Sequence, residues 1–254
     1  AIATDRGGGT IRVNGGTMRT AGSGSPGIYS TGSITVADAL LDASGAEAVV
    51  IEGRNSVALS NCRLSAAQRC GVMVYQSFSG DAEGRHGVFT MEGGSLSAAV
   101  GPLFYVTNTR ATIAVAGAKL EAASGVLLAA AADRWGRSGS NGGHAEFTAG
   151  REQLTGDLTC EAGSSISASL QEGTRLTGAI HNAALTLDAT SVWHVTADSA
   201  LTSLADTAGV AGDTVGNIVG HGHTVLYQAD LPANRWLNGQ TLTLAEGGQL
   251  CPAR

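Results

Sequence analysis

A pattern of about 20 residues recurs four times between Ile34 and Ala130, and it constrains the fold more than any other feature of the chain. The copies begin at Ile34-Thr-Val-Ala-Asp-Ala39-Leu-Leu41, Val57-Ala-Leu-Ser-Asn-Cys62-Arg-Leu64, Phe89-Thr-Met-Glu-Gly-Gly94-Ser-Leu96 and Ile113-Ala-Val-Ala-Gly-Ala118-Lys-Leu120, and Ile11-Arg-Val-Asn-Gly-Gly16-Thr-Met18 is an earlier fifth copy. The anchors Ile11, Ile34, Val57, Phe89 and Ile113 are spaced 23, 23, 32 and 24 residues apart. A period of this size marks a solenoid, a stack of units that cannot bury their apolar faces alone. The fixed leucine ladder and turn asparagine of a leucine-rich repeat are missing. Instead, apolar residues alternate at offsets 0 and 2, which is extended chain with every second side chain inward. Offset 5 is always small (Gly16, Ala39, Cys62, Gly94, Ala118), as a tight corner requires, and offset 7 is Met18, Leu41, Leu64, Leu96 and Leu120. Each copy closes on an apolar run: Val49–Ile51, Val72–Val74, Leu103–Tyr105 and Val126–Leu128.

These columns predict an all-β chain: a right-handed parallel β-helix, or β-solenoid, with coils of about 23 residues. Like residues above one another fill a narrow interior, so few aromatics are needed, and they make up 4%. Corners consume glycine, of which there are 37. One domain over 1–254 is expected, with regular coils to residue 150 and less regular ones over 151–254. In the later part, Leu154–Leu158, Ser165–Leu170, Leu176–Ile180 and Leu185–Leu187 read as short strands. Val192-Trp-His-Val195 reads either as a coil with a wider interior or as the start of a cap, and Cys251-Pro-Ala-Arg carries no cap signal.

Two insertions interrupt the minimum coil, at 76–87 after Tyr75 and at 132–145 after Ala130. Both leave at the same point of the repeat with one compact coil between. They are therefore expected on the same edge, roughly 10 Å apart at the ~4.8 Å strand spacing, and in contact. Trp135, Arg134, Arg137 and Asn141 from one, with Asp81, Glu83, Arg85 and His86 from the other, join an aromatic face to planar hydrogen-bonding groups. That chemistry suits sugar or peptide. The alternative is internal: Trp135 folded back over the coils, with Arg85, Arg134, Asp81 and Asp133 pairing to lock the loops.

Charge narrows the partners. A net charge of −6 and a single lysine, Lys119, leave no surface to track phosphates, so nucleic acid is not expected. No run of 18 apolar residues offers a membrane span, and Ala1-Ile-Ala-Thr has no signal-peptide character. Cys62, Cys70, Cys160 and Cys251 match no zinc spacing; Cys62 is a buried core thiol or is bridged to Cys70.

The segments Gly80-Asp-Ala-Glu-Gly84, Gly101-Pro-Leu-Phe-Tyr-Val-Thr-Asn-Thr109, Arg134-Trp-Gly-Arg-Ser-Gly-Ser-Asn-Gly-Gly143 and Ser191-Val-Trp-His-Val-Thr-Ala-Asp-Ser-Ala-Leu-Thr-Ser-Leu204 resemble an uncharacterised family of secreted bacterial right-handed β-helix proteins of adhesin-like type. The last is also similar to the C-terminal part of autotransporter passengers. The likeness covers about residues 30–250. It implies an extracellular or cell-surface location and carries over no catalytic residue.

Catalysis is tested by what hydrolytic β-helices need. Gly220-His221-Gly222 matches a polygalacturonase motif, but Asn-x-Asp, Asp-Asp and Arg-x-Lys partners are lacking, and no paired-acid column appears in the register. No enzyme activity, metal or other cofactor is expected. His221 and His223 would share a face if they alternate on a strand, but no third ligand can be named. The leading expectation is a non-catalytic adhesin-like stalk or scaffold for a cell-surface glycan or protein. Self-assembly into a filament or layer through unpaired end strands is the alternative, since no obvious cap protects the C-terminal end; a polysaccharide lyase or hydrolase comes third.

Overall fold

A computed structural model describes all residues except 7, 81, 83, 85, 207 and 254. Strand accounts for 54% of the chain and helix for 2%, so the fold is all-β. Two large parallel ladders belong to one 24-stranded sheet, and a third ladder forms a separate five-stranded sheet.

The first ladder holds the anchor column in register. Thr10–Asn14, Ser33–Ala37, Ser56–Ser60, Gly87–Glu92, Arg110–Ala116, His144–Gly150 and Ser165–Gln171 pair in turn, so Ile11, Ile34, Val57, Phe89, Ile113, Phe147 and Ala168 lie above one another. The five-stranded sheet aligns Met18, Leu41, Leu64, Leu96 and Leu120. The remaining ladder aligns Ile2, Ile28, Val49, Val72, Phe104, Leu128, Leu158 and Ile180. The strand Ile2–Ala3 that begins it has no counterpart in the sequence reading.

Alternation puts these columns inside. Each fully buried Leu, Ile or Phe contributes about 1.5–3 kcal/mol relative to exposure. Phe104 reaches across the interior from its own ladder to Phe89 and Phe147, with ring centroids 5.9 and 5.8 Å away. The corner between the first ladder and the five-stranded sheet is as tight as the small offset-5 column implies. Gly94 has φ +76°, and a Cβ there would collide with the Cys62 carbonyl oxygen. Cys62, Cys70, Cys160 and Cys251 are all free thiols; Cys62 Sγ lies 3.3 Å from the Val36 carbonyl oxygen in the core.

Past residue 150 the columns continue. Leu154, Leu176, Trp193 and Ile218 align, so Trp193 belongs to the interior, with its Nε1 donating to the Gly178 carbonyl at 2.9 Å. A 3₁₀ helix, Pro232–Leu237, lies over the strand Ser199–Ala205. Asn234 accepts from the Leu204 N–H and donates to the Thr202 and Gln228 carbonyls, and the Trp236 indole donates to Leu204 O. Pro232 at the first helical position fits the fixed φ of proline there.

The five-stranded sheet stops at Lys119–Ala122, and a new run begins at Gln153–Thr155. Glu152 spans the interruption: its Oε1 accepts the Ala118 N–H at 2.8 Å. Its Oε2 is buried and makes no hydrogen bond among the described residues. Burial pushes this carboxyl up, against the pull of the Ala118 N–H and the Arg151 charge. A raised carboxyl favours the fold while protonated, and that contribution is lost as pH climbs above the ordinary Glu range. Glu152→Gln keeps an acceptor for Ala118 without the buried charge. The difference in melting temperature between the variant and the wild type is therefore expected to grow in the variant's favour from pH 4 to pH 8. A difference independent of pH, measured by thermal melts across that range, would refute the assignment.

Candidate functional site

The outward side chains of the Ile28–Ser30, Val49–Glu52, Val72–Tyr75 and Phe104–Thr107 strands form the site's floor. Register places Tyr29, Val50, Met73 and Tyr105 in one column. Both insertions rise beside it. Phe78 from the first meets Trp135 from the second at a centroid distance of 6.3 Å, and Trp135 also packs on Tyr75 at 5.2 Å. The expected contact between the insertions is present. Asn108 sits between them, donating from Nδ2 to the Gln76 carbonyl at 2.7 Å, while Gly136 (φ +79°) packs so close to it that a Cβ would strike its amide.

Two clefts of about 200 and 400 Å³ open here and share Glu47, Arg69, Met73, Arg134 and Trp135 in their walls. Tyr29, Val50 and Tyr75 line one; Cys70, Pro102, Tyr105 and Asp133 line the other. The Arg134 guanidinium lies 4.7 Å over the Trp135 ring, a cation–π contact, and the residue is exposed. Among the described residues it forms no ion pair. Arg69 lies 3.9 Å from Glu47. The Tyr105 hydroxyl donates to Asp133 at 3.2 Å, and burial followed by the Asp133 charge pushes it up to about 12.

Beneath this surface lies a residue that the sequence did not single out. Glu52 is 1% exposed, and its two carboxylate oxygens accept four hydroxyls. Oε2 takes Tyr29 and Tyr75, the latter at 3.2 Å; Oε1 takes Ser77 and Ser79, the latter at 3.1 Å. Burial first, and then the bond to Glu52, hold the Tyr29 hydroxyl far above its ordinary range, so it stays a donor. Burial raises Tyr75 as well. A carboxylate has about four lone-pair sites, and all are filled. Glu52 therefore ties the first insertion to the strand wall.

The other candidate residues take different places. Asn141 is buried at 5% exposure and donates to the carbonyls of Asp133 and Trp135 at 2.6 and 2.9 Å, so its amide is spent holding its own loop. Arg137 is exposed, with its carbonyl accepting the Ser140 N–H, and it lines neither cleft. His86 turns to the first ladder, 2.8 Å from Thr112 Oγ1. Asp81, Glu83 and Arg85 lie outside the described residues, and with them the expected pairing of Asp81 and Arg85. A larger open groove of about 1000 Å³ follows the five-stranded sheet, but it is walled mainly by alanine and serine. Of its charged groups, Lys119 pairs with Glu121 at 2.6 Å and Arg151 with Glu172.

No family profile, curated protein or solved structure matches the chain. No helix among the described residues is long and apolar enough to cross a membrane.

Proposed function

We propose that the chain is a non-catalytic, extracellular right-handed parallel β-helix that binds a saccharide in the cleft between its insertions. The three parallel ladders, each repeat pairing with the next, support the architecture. The resemblance of the segments 80–84, 101–109, 134–143 and 191–204 to secreted adhesin-like proteins supports the location. One observation carries the binding reading: an exposed Arg134 held on the Trp135 face, with no ion pair among the described residues, beside a column of Tyr29, Val50, Met73 and Tyr105. Flat apolar faces with a few fixed donors are the usual lining of such sites. The carboxylates are engaged: Glu47 lies near Arg69, Asp133 accepts from Tyr105, and Glu52 is saturated, which favours recognition over acid–base chemistry.

Glycan-array screening of the intact chain, followed by calorimetry on the hits, tests this reading. Trp135→Ala and Arg134→Ala are each expected to weaken binding at least tenfold while the fold stays intact by circular dichroism. An array with no saccharide bound, or hits indifferent to both substitutions, would overturn it; binding of proline-rich peptides in their place would assign the aromatic cleft to protein.

A further inference from the structure

His221 and His223 do not alternate on a strand. Residues 221–222 form a turn, with His221 at φ +49°, and the two imidazoles part: His223 faces Asp198 at 3.7 Å, while His221 swings back over His194. His194 is an outward residue of the strand Val192–Val195, next to the buried Trp193, so its position is fixed from below. His194 Nδ1 and His221 Nε2 stand 3.3 Å apart, with ring planes 19° from parallel. Glu246 Oε2 lies 3.1 Å from His221 Nδ1.

We propose that His194 and His221 are a chelating pair for a borderline divalent transition ion, Cu²⁺, Ni²⁺ or Zn²⁺. Two imidazole nitrogens bound to one such ion at about 2.0–2.1 Å in a tetrahedral shell lie ~3.4 Å apart, close to the spacing already present. Glu246 supplies the second observation. By accepting the His221 Nδ1 proton it leaves the Nε2 lone pair free for the ion, the carboxylate–imidazole arrangement that orients metal-bound histidines. With the His221 proton on Nδ1, the hydrogen bond between the rings requires the other proton on His194 Nδ1. Binding moves it to His194 Nε2, and both rings tilt so that the ion takes its place. No proton is released if both imidazoles start neutral. Among the described residues no group of three or more His, Cys, Asp or Glu converges, so water completes the shell and the ion is exchangeable. The His221 side chain is 43% exposed, which gives the ion a direct approach. Imidazole donors and the Irving–Williams order place Cu²⁺ first in affinity.

The test is calorimetric titration of the intact, chelator-treated chain at pH 7.5 with Cu²⁺, Ni²⁺ and Zn²⁺, with electron paramagnetic resonance of the Cu²⁺ form. One equivalent should bind, and the copper spectrum should carry hyperfine structure from two nitrogens. His194→Ala and His221→Asn, the latter chosen because asparagine tolerates the left-handed turn, should each lower affinity at least tenfold. Glu246→Gln should lower it about tenfold, and His223→Ala should leave it unchanged. Absence of binding at millimolar ion overturns the proposal. So does binding that survives both His194→Ala and His221→Asn, or a spectrum with a single nitrogen.

Discussion

Leu96→Asp is expected to abolish cooperative folding. Leu96 is fully buried, between Leu64 and Leu120 in the ladder register, so a carboxylate there has only apolar neighbours along its column. An unpaired buried charge costs several kcal/mol even after relaxation. The whole stability of a protein is about 5–15 kcal/mol. Two milder variants calibrate the loss: Leu96→Ala should cost about 2–5 kcal/mol, and Leu96→Met less than about 1.5 kcal/mol. Chemical denaturation followed by circular dichroism measures all three. A Leu96→Asp protein that melts with the wild type would mean that the register is wrong.

The second large effect is expected at Glu52. Its carboxylate collects the hydroxyls of Tyr29, Tyr75, Ser77 and Ser79 in a buried position. Glu52→Gln preserves the shape but replaces one acceptor oxygen by an NH₂ group, which then faces hydroxyl donors. Bonds to a charged group contribute more than neutral ones, and a donor left without an acceptor adds its own penalty, so a loss of about 2–4 kcal/mol is expected. The loss should also be local. Ser77 and Ser79 belong to the first insertion, so trypsin or chymotrypsin should cut within 76–87 of the variant well before the wild type. Tyr29→Phe, which removes one of the four bonds, should cost about 1 kcal/mol. Unchanged melting together with an unchanged cleavage pattern in Glu52→Gln would show that the insertion is anchored elsewhere.

Those two residues also mark what a sequence can and cannot reveal. The Leu96 column is legible because stacking like on like repeats a local alternation, and Phe147 falls under Ile113 despite the long insertion between them. The contact between the insertions was legible too, since both leave the repeat at one point and strand spacing does the rest. Glu52 was not, because as the last residue of Val49–Glu52 it looks like any polar strand end. Its partners come from positions 29, 75, 77 and 79, and only Tyr75 shares its register, the one signal that could have raised it. Asn141 read as a surface donor because nothing local says that a loop will close over it. The histidine turn depends on a left-handed residue at 221, which the alternation rule misses. The Pro232–Leu237 helix has one local signal, Pro232 at its first position, set among short strands that offer no other.

The column of Tyr29, Val50, Met73 and Tyr105 also acts as a ruler. Each residue sits on a successive strand, so the four of them span three strand spacings, about 14 Å along the stack. A monosaccharide would cover only part of that distance. What fits the whole row is a linear oligomer lying parallel to the direction of stacking, and the scale against which its length is read is the backbone hydrogen bond itself.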